Sequence, residues 1–146
     1  MEIELRSGPM MVTLLGASRD RIVGVHTLEI LTPLLQRVRG AIESNAIMDD
    51  GTIWALYETD GRLFVGTPSG VHAAGDLGLE ERALYLTRHA AAAYAGAFDG
   101  LLGATHAMRT AIESQRLRFG FPAIEVYWNW DGNPEHVEAD LMMPVR

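Results

Sequence analysis

The segment Ala123-Ile124-Glu125-Val126-Tyr127-Trp128 holds the residues best suited to chemistry. Read as a strand, it points Glu125 to the face opposite Ile124 and Val126, and Tyr127 shares the glutamate's side. If that face lines an apolar cleft, desolvation disfavours the free carboxylate, and a bound organic cation relieves the penalty. The same carboxylate could orient or deprotonate a water for attack on an electrophile. A glutamate in solvent or paired with an arginine is the plainer reading, and these residues alone leave the choice open.

An internal repeat supplies a second tyrosine. Val38-Arg-Gly-Ala-Ile-Glu-Ser-Asn45 lies over Met108-Arg-Thr-Ala-Ile-Glu-Ser-Gln115 when the chain is shifted by 70 residues, and Tyr57 then falls over Tyr127. Two tyrosines on related strands could sandwich a planar ligand, whose positive charge their ring faces would attract. The alternative is half-buried packing with each hydroxyl at the rim. Trp54 lies over Ile124 in this register, as core facing the helices. A slip of one residue, aligning Ile53 with Ile124, would instead set Trp54 on the Glu125 face, as part of the pocket. Trp128 and Trp130 fall in the packing or rim class.

The elements that must position these residues follow from periodicity. Leu31, Leu34, Leu35, Val38 and Ile42 recur at helical spacing, as do Phe98, Leu101, Met108 and Ile112. Thr32-Pro33 reads as a cap and first helical position, giving a first helix over Pro33–Asn45. After each helix comes a pair of strands with Asp-Gly in the connection, Thr52–Glu58 with Arg62–Pro68 and Ala123–Trp130 with His136–Val145. Before the first helix, Ile22-Val23-Gly24-Val25 is β-branched and lies over Ala92–Ala95. The repeat therefore assigns His89-Ala-Ala-Ala-Ala-Tyr94 to a strand against its alanine content, with Gly96 turning the chain into a helix that starts near Phe98 or Asp99. The unit is strand, helix, strand, strand, used twice. Residues 1–146 are thus expected to form one domain with repeats at about 1–75 and 76–146.

Composition narrows the function. The 146 residues are 48% hydrophobic and carry a net charge of −7, with no cysteine and with arginine as the sole basic residue apart from histidine. Disulfides and thiolate chemistry are excluded. An acidic chain without a basic run is poorly suited to gripping phosphates, so direct nucleic-acid binding is not expected. The start of the sequence lacks a signal-peptide pattern and no apolar run is long enough to cross a membrane, which makes the cytoplasm the expected location. His136-x-Glu138 has no third ligand, and His26, His72, His89 and His106 lack zinc spacing, so neither metal nor cofactor is expected. Thr67-Pro-Ser-Gly-Val71 is not a nucleophile elbow, and Gly96–Gly103 is not a dinucleotide fingerprint.

Three segments resemble the gyrase-inhibitor-like (GyrI-like) proteins, also called bacterial transcription-activator effector-binding domains. Tyr94-x-Gly96-x-Phe98-Asp99-x-Leu101 is similar to their His-x-Gly-x-Tyr-x-x-Leu segment. Pro122-x-x-Glu125-Val126-Tyr127 is similar to their Pro-x-x-Glu-Val-Tyr strand, and Leu141–Val145 to their closing Pro-Val strand. Tyr94 replaces the usual histidine and Phe98 the usual tyrosine, which argues against a role for either side chain.

The resemblance implies an α+β fold of duplicated β-α-β-β units related by a pseudo-two-fold axis, with an antiparallel sheet around a central ligand cleft. It also implies a cleft for amphipathic, often cationic and aromatic molecules that the motif glutamate faces. The leading expectation is a free-standing binder of hydrophobic cations with Glu125 as charge partner and Tyr57, Tyr127 and Trp54 around the ligand. The alternatives are a hydrolase of strained, cyclopropane-type electrophiles in which Glu125 is catalytic, and a protein-interaction module such as a gyrase inhibitor.

Overall fold

A computed structural model describes residues 1–21, 24–69, 74–128, 130 and 132–146. Its elements in chain order are β1 (Glu4–Arg6), β2 (Met10–Asp20), α1 (Thr27–Ser44), β3 (Thr52–Tyr57), β4 (Arg62–Pro68), β5 (Glu80–Leu86), β6 (His89–Gly96), α2 (Leu101–Ser114), β7 (Ala123–Trp128) and β8 (Val137–Pro144). Short 3-10 turns at Ala74–Leu77 and Phe98–Gly100 precede β5 and α2. The eight strands form one antiparallel sheet in the order β1-β6-β8-β7-β3-β4-β2-β5.

That order reads the same from either end. β2-α1-β3-β4 and β6-α2-β7-β8 are the two equivalent units, joined at the centre by β3 pairing with β7. Each unit gains an edge strand that belongs in sequence to the other side: β1 lies beside β6, and β5 beside β2. Residues 7–9 join β1 to β2 across at most ~14 Å of chain, whereas six strand positions in a flat sheet would span ~29 Å. The sheet must therefore curl. Gly16 and Gly66 face each other at the bend, where a Cβ on Gly16 would lie 2.1 Å from the Val65 carbonyl and 2.6 Å from the Phe64 ring.

Strand alternation then sorts the apolar side chains into two layers. Leu14, Leu56, Phe64, Leu84, Ile124, Val126 and Met142 fill the inside of the curl. Leu15, Leu63, Val65, Tyr127, Leu141 and Met143 face the other way and meet both helices. α1 seats firmly across β2 and β4 and buries Ile30, Leu31, Leu34, Leu35, Val38 and Ile42. α2 packs mainly on β6 and buries Leu101, Met108 and Ile112 alone. The second helix stands off β7 and β8.

The duplicated architecture, both hairpins and the strand–turn–helix reading of His89–Leu102 agree with the sequence expectations. Two boundaries differ. α1 begins at Thr27, six residues before Pro33, because the His26 side chain caps the Leu28 N–H (3.1 Å) and burial of Ile30 and Leu31 outweighs the hydrogen bond Pro33 cannot make. The strand placed at Ile22–Val25 lies earlier, at Met10–Asp20, and Gly24 sits in a turn with φ 85° that an extended strand cannot contain. Ile22 and Val23 lie outside the described residues, as do His72, Gly70 and Val71.

Candidate functional site

The gap beneath α2 is a cleft of about 560 Å³, within the size range of small-molecule sites. Its floor is β7 and β8, with Ala123, Glu125, Leu141 and Met143. Leu101, Leu102, Thr105 and Arg109 of α2 form one wall, a stripe at helical spacing. Tyr57 of β3, Arg21 and the start of α1 form the other. Both units thus contribute, and the cleft lies between them.

Glu125 reaches this floor because Ile124 and Val126 are claimed by the inner layer. Its cross-strand neighbours are Ala55 on β3 and Leu141 on β8, so neither flanking strand sets a cation beside it. Instead Tyr57 and Tyr127 both donate their hydroxyls to one carboxylate oxygen, Oε1, at 2.7 and 2.6 Å. Oε2 accepts no hydrogen bond among the described residues. The residue is 6% exposed, and burial raises the carboxyl above its ordinary pKa while the two tyrosine hydrogen bonds pull the other way. Burial, reinforced by the glutamate's charge, pushes both phenols well above theirs, which keeps them protonated as donors. Together they make a desolvated acid with one oxygen fixed and one turned to the cleft.

The two tyrosines do not share one role. Tyr57 lines the cleft, and the Arg21 guanidinium lies 5.2 Å above its ring. Tyr127 is fully buried in a triangle of rings with Phe98 (6.4 Å between centroids) and Trp130 (5.4 Å), which are 6.2 Å from each other. It holds the glutamate and offers no free face, so the expected tyrosine sandwich is not assembled. Trp54 is not brought to the site either. It pairs with Val126 and Gly66 on the inner face of the sheet, with its indole N–H donated to Thr52 Oγ1 at 2.9 Å. Ile124 faces the same way, so the register that placed Trp54 over Ile124 gave the right pairing of faces and the wrong side for the helices. Trp130 is core, and Trp128 sits at the rim, half-exposed and bonded to Asp140.

Several site residues escaped the sequence reading. Phe98, discounted for replacing a tyrosine, lines the cleft and stacks on Tyr127. The 3-10 turn that presents it is shaped by Tyr94, whose hydroxyl donates to the Ala97 carbonyl and whose ring end occupies the space of a Cβ on Gly100. At the mouth, His26 Nδ1 is the acceptor for the Leu28 N–H, so Nε2 carries the proton and donates it to Asp99 at 2.8 Å, tying the start of α1 to the turn before α2. Arg21 and Arg109 carried no motif, although Arg109 stood inside the repeated Arg-x-Ala-Ile-Glu-Ser segment. Among the described residues, no group of three or more His, Asp or Glu side chains could hold a metal.

Solved structures match this architecture along the whole chain. The C-terminal domain of EcmrR superposes with a TM-score of 0.69 at 12% identity, over 99% of this chain and 97% of that one. A hydrolase from Listeria innocua gives 0.62 at 14% identity, over 99% and 92%. SAV2435 bound to tetraphenylphosphonium gives 0.60 at 16% identity, over 100% and 94%. The chain has their fold. No protein-family model matches the sequence, and no curated protein sequence does. No helix among the described residues is long and apolar enough to cross a membrane.

Proposed function

We propose that this protein is a GyrI-like binder of hydrophobic organic cations, acting in the cytoplasm as a sequestering protein or sensor. One observation carries the reading: a buried carboxylate at the floor of an open, largely apolar cleft has tyrosine hydroxyls on one oxygen and, among the described residues, no cation on either. A charge buried this way costs free energy that a pairing cation returns. A lipophilic cation loses little by leaving water and gains the Leu101, Leu141 and Met143 surface. The fold shared with SAV2435, a protein bound to the aromatic cation tetraphenylphosphonium, supports the same ligand class. Glu125 is the charge partner, Tyr57 is the aromatic wall, and Tyr127 positions the glutamate from behind. Titration of wild type and Glu125→Gln with a panel of cationic dyes tests this. Affinities that do not change across the panel would remove the role of Glu125.

A second reading rests on Oε2. A carboxyl with raised proton affinity and a free oxygen facing a cleft can take a proton from water, and a hydrolase of strained, cyclopropane-type electrophiles would use it so. A hydrolase shares the fold. Product analysis after incubation with cyclopropane-containing alkylating compounds separates the readings: a binder leaves them intact, and water-opened product that disappears in Glu125→Gln marks the enzyme.

A further inference from the structure

The cleft carries positive charge that the binding of simple cations does not need. Arg109 lines its α2 wall, packed with its guanidinium 4.9 Å from the Phe119 ring centroid, and its Nε is buried without an acceptor among the described residues. The chain has 19 acidic residues against 12 arginines, yet Arg109 pairs with none of them among the described residues. Its counterpart in the first unit, 70 positions earlier, is Arg39, which donates to the Trp130 carbonyl at 2.9 Å. The same repeated arginine therefore donates to a backbone carbonyl in one unit and rests on an aromatic ring without an acceptor among the described residues in the other. Arg21, on the opposite wall, likewise lies over a tyrosine ring with no ionic partner among the described residues.

Neither charge forms an ion pair with the carboxylate among the described residues. Among the described residues neither guanidinium hydrogen-bonds to Glu125, whose Oε1 is held by the two tyrosine hydroxyls. On the sheet, Tyr57 pairs with Ala123, one same-face step from the Glu125 row, or ~7 Å, and its side chain spans that step to bring its hydroxyl to Oε1 while Arg21 stands over its ring. On α2, Arg109 lies eight residues beyond Leu101, ~12 Å along the axis. The cleft thus carries Glu125 at its floor, Arg21 and Arg109 on its walls and Asp99 at its mouth, with aliphatic and aromatic surface between.

Resting on the reading of Glu125 as a cation partner, we propose that the natural ligand is amphoteric: a rigid, largely apolar molecule with a cationic nitrogen for Glu125 and a carboxylate or similar anion for Arg109, assisted by Arg21. Arginine suits the second task because its planar fork engages a carboxylate through two N–H donors, and its aromatic support under Phe119 pre-orients it.

Rhodamine 123 and rhodamine 110 make the test direct, since they share one cationic xanthene and differ only in a methyl ester against a free carboxylate. Fluorescence anisotropy on the intact chain should show wild type binding rhodamine 110 about tenfold more tightly than rhodamine 123. In Arg109→Met, which keeps an apolar stem against Phe119, rhodamine 110 should weaken about tenfold while rhodamine 123 tightens, because a like charge has left the wall. Arg109→Lys should keep part of the preference, and Arg21→Met, on a separate segment, should reduce it. A wild-type preference for the ester would overturn the proposal. So would an Arg109→Met variant, with native circular dichroism, in which both dyes move in the same direction. Glu125→Gln reports on the parent reading separately. It should weaken both dyes together, and if it does not, the cation site fails while the ester-to-acid ratio still judges Arg109.

Discussion

Replacing Glu125 by glutamine isolates the charge and keeps the shape. The amide oxygen can still accept the Tyr57 and Tyr127 hydroxyls now held at 2.7 and 2.6 Å, so the floor of the cleft should persist. What disappears is the attraction for a cation at Oε2. At ~4 Å and an effective dielectric of ~20 that attraction is about 4 kcal/mol before desolvation of the ligand is subtracted. Truncating one partner of a buried, hydrogen-bonded charge pair costs about 2–5 kcal/mol. A loss near the lower end, about 2–3 kcal/mol, corresponds to affinity weakened about 30- to 150-fold. Isothermal titration with cationic dyes measures it.

Acidity supplies a second, independent readout of the same variant. Burial raises the Glu125 carboxyl, so in the free protein a proton occupies the site to higher pH than on an ordinary glutamate. A cation binds the ionised form and must expel that proton. Wild-type affinity should therefore rise with pH, by up to about tenfold per unit below the raised pKa, and level off above it. Stability runs the opposite way. The folded state holds the proton more tightly than the unfolded chain, so stability falls as pH rises from the ordinary carboxylate value near ~4.3 through the raised one, and Glu125→Gln removes that fall. Without ligand, the variant should melt at or above the wild-type temperature at pH 8 and lose that advantage at pH 4. A wild-type affinity that is flat with pH, or a glutamine variant that tracks it, would refute the reasoning.

Other perturbations have equally specific outcomes. Tyr127→Phe leaves the carboxylate with Tyr57 as its one donor, which should cost about 1.5–3 kcal/mol of stability when Glu125 is ionised and move the affinity–pH curve to higher pH; denaturant melts at two pH values check both. His89 is buried with neither ring nitrogen bonded among the described residues, and burial, with Arg6, lowers its pKa against the opposing pull of Glu4. The unfolded chain then takes the proton first, so stability should drop as pH falls below ~6.5, and His89→Phe should flatten that limb of the melting profile. Gly100→Ala places a Cβ 2.1 Å from the Tyr94 hydroxyl. It should break the Tyr94–Ala97 contact, shift Phe98 and lower dye affinity, and the double variant with Tyr94→Phe should not recover it, because the ring itself lies 3.2 Å from that Cβ at Cζ.

The parts of this fold legible in the sequence were those where a local rule and the repeat agreed. Asp60-Gly61 and Asp131-Gly132 marked hairpins, and the repeat overruled alanine propensity at His89–Gly96, where β6 is held by β1 on one side and β8 on the other. β2 was missed for a physical reason. Leu14 and Leu15 are both fully buried, one in each layer, so Met10–Asp20 has no clean alternation to read. β1 and β5 are edge strands donated to the distant unit, and local pattern cannot report a partner more than 60 residues away. At the site, Glu125 and Tyr57 were legible from strand parity. Trp54 was not, because the repeat matches helices at a shift of 70 and leaves open which face of β3 the helices cover. Arg109 was invisible because nothing in its segment distinguishes an arginine bonded to a carbonyl from one left without an acceptor.

That last distinction explains how a symmetric fold produces one site. In the first unit α1 is drawn onto β2 and β4 by six buried apolar side chains, and Arg39 closes onto the Trp130 carbonyl. In the second, α2 has half as many such anchors, its first turn carries the exposed Leu102, and the sheet beneath it offers Glu125 at the row where β3 has Ala55. A buried carboxylate cannot serve as a seat for a helix, so α2 is held away and the cleft opens. Filling the gap should therefore be as informative as emptying it. Glu125→Leu with Arg109→Leu removes both charges and adds apolar surface where α2 and β7 face each other. Burying one leucine is worth about 1.5–3 kcal/mol. The double variant should gain stability in chemical denaturation and lose dye binding, the mark of a site maintained at the expense of packing. If it loses both, the cleft is part of the core's own architecture and the carboxylate does not hold it open.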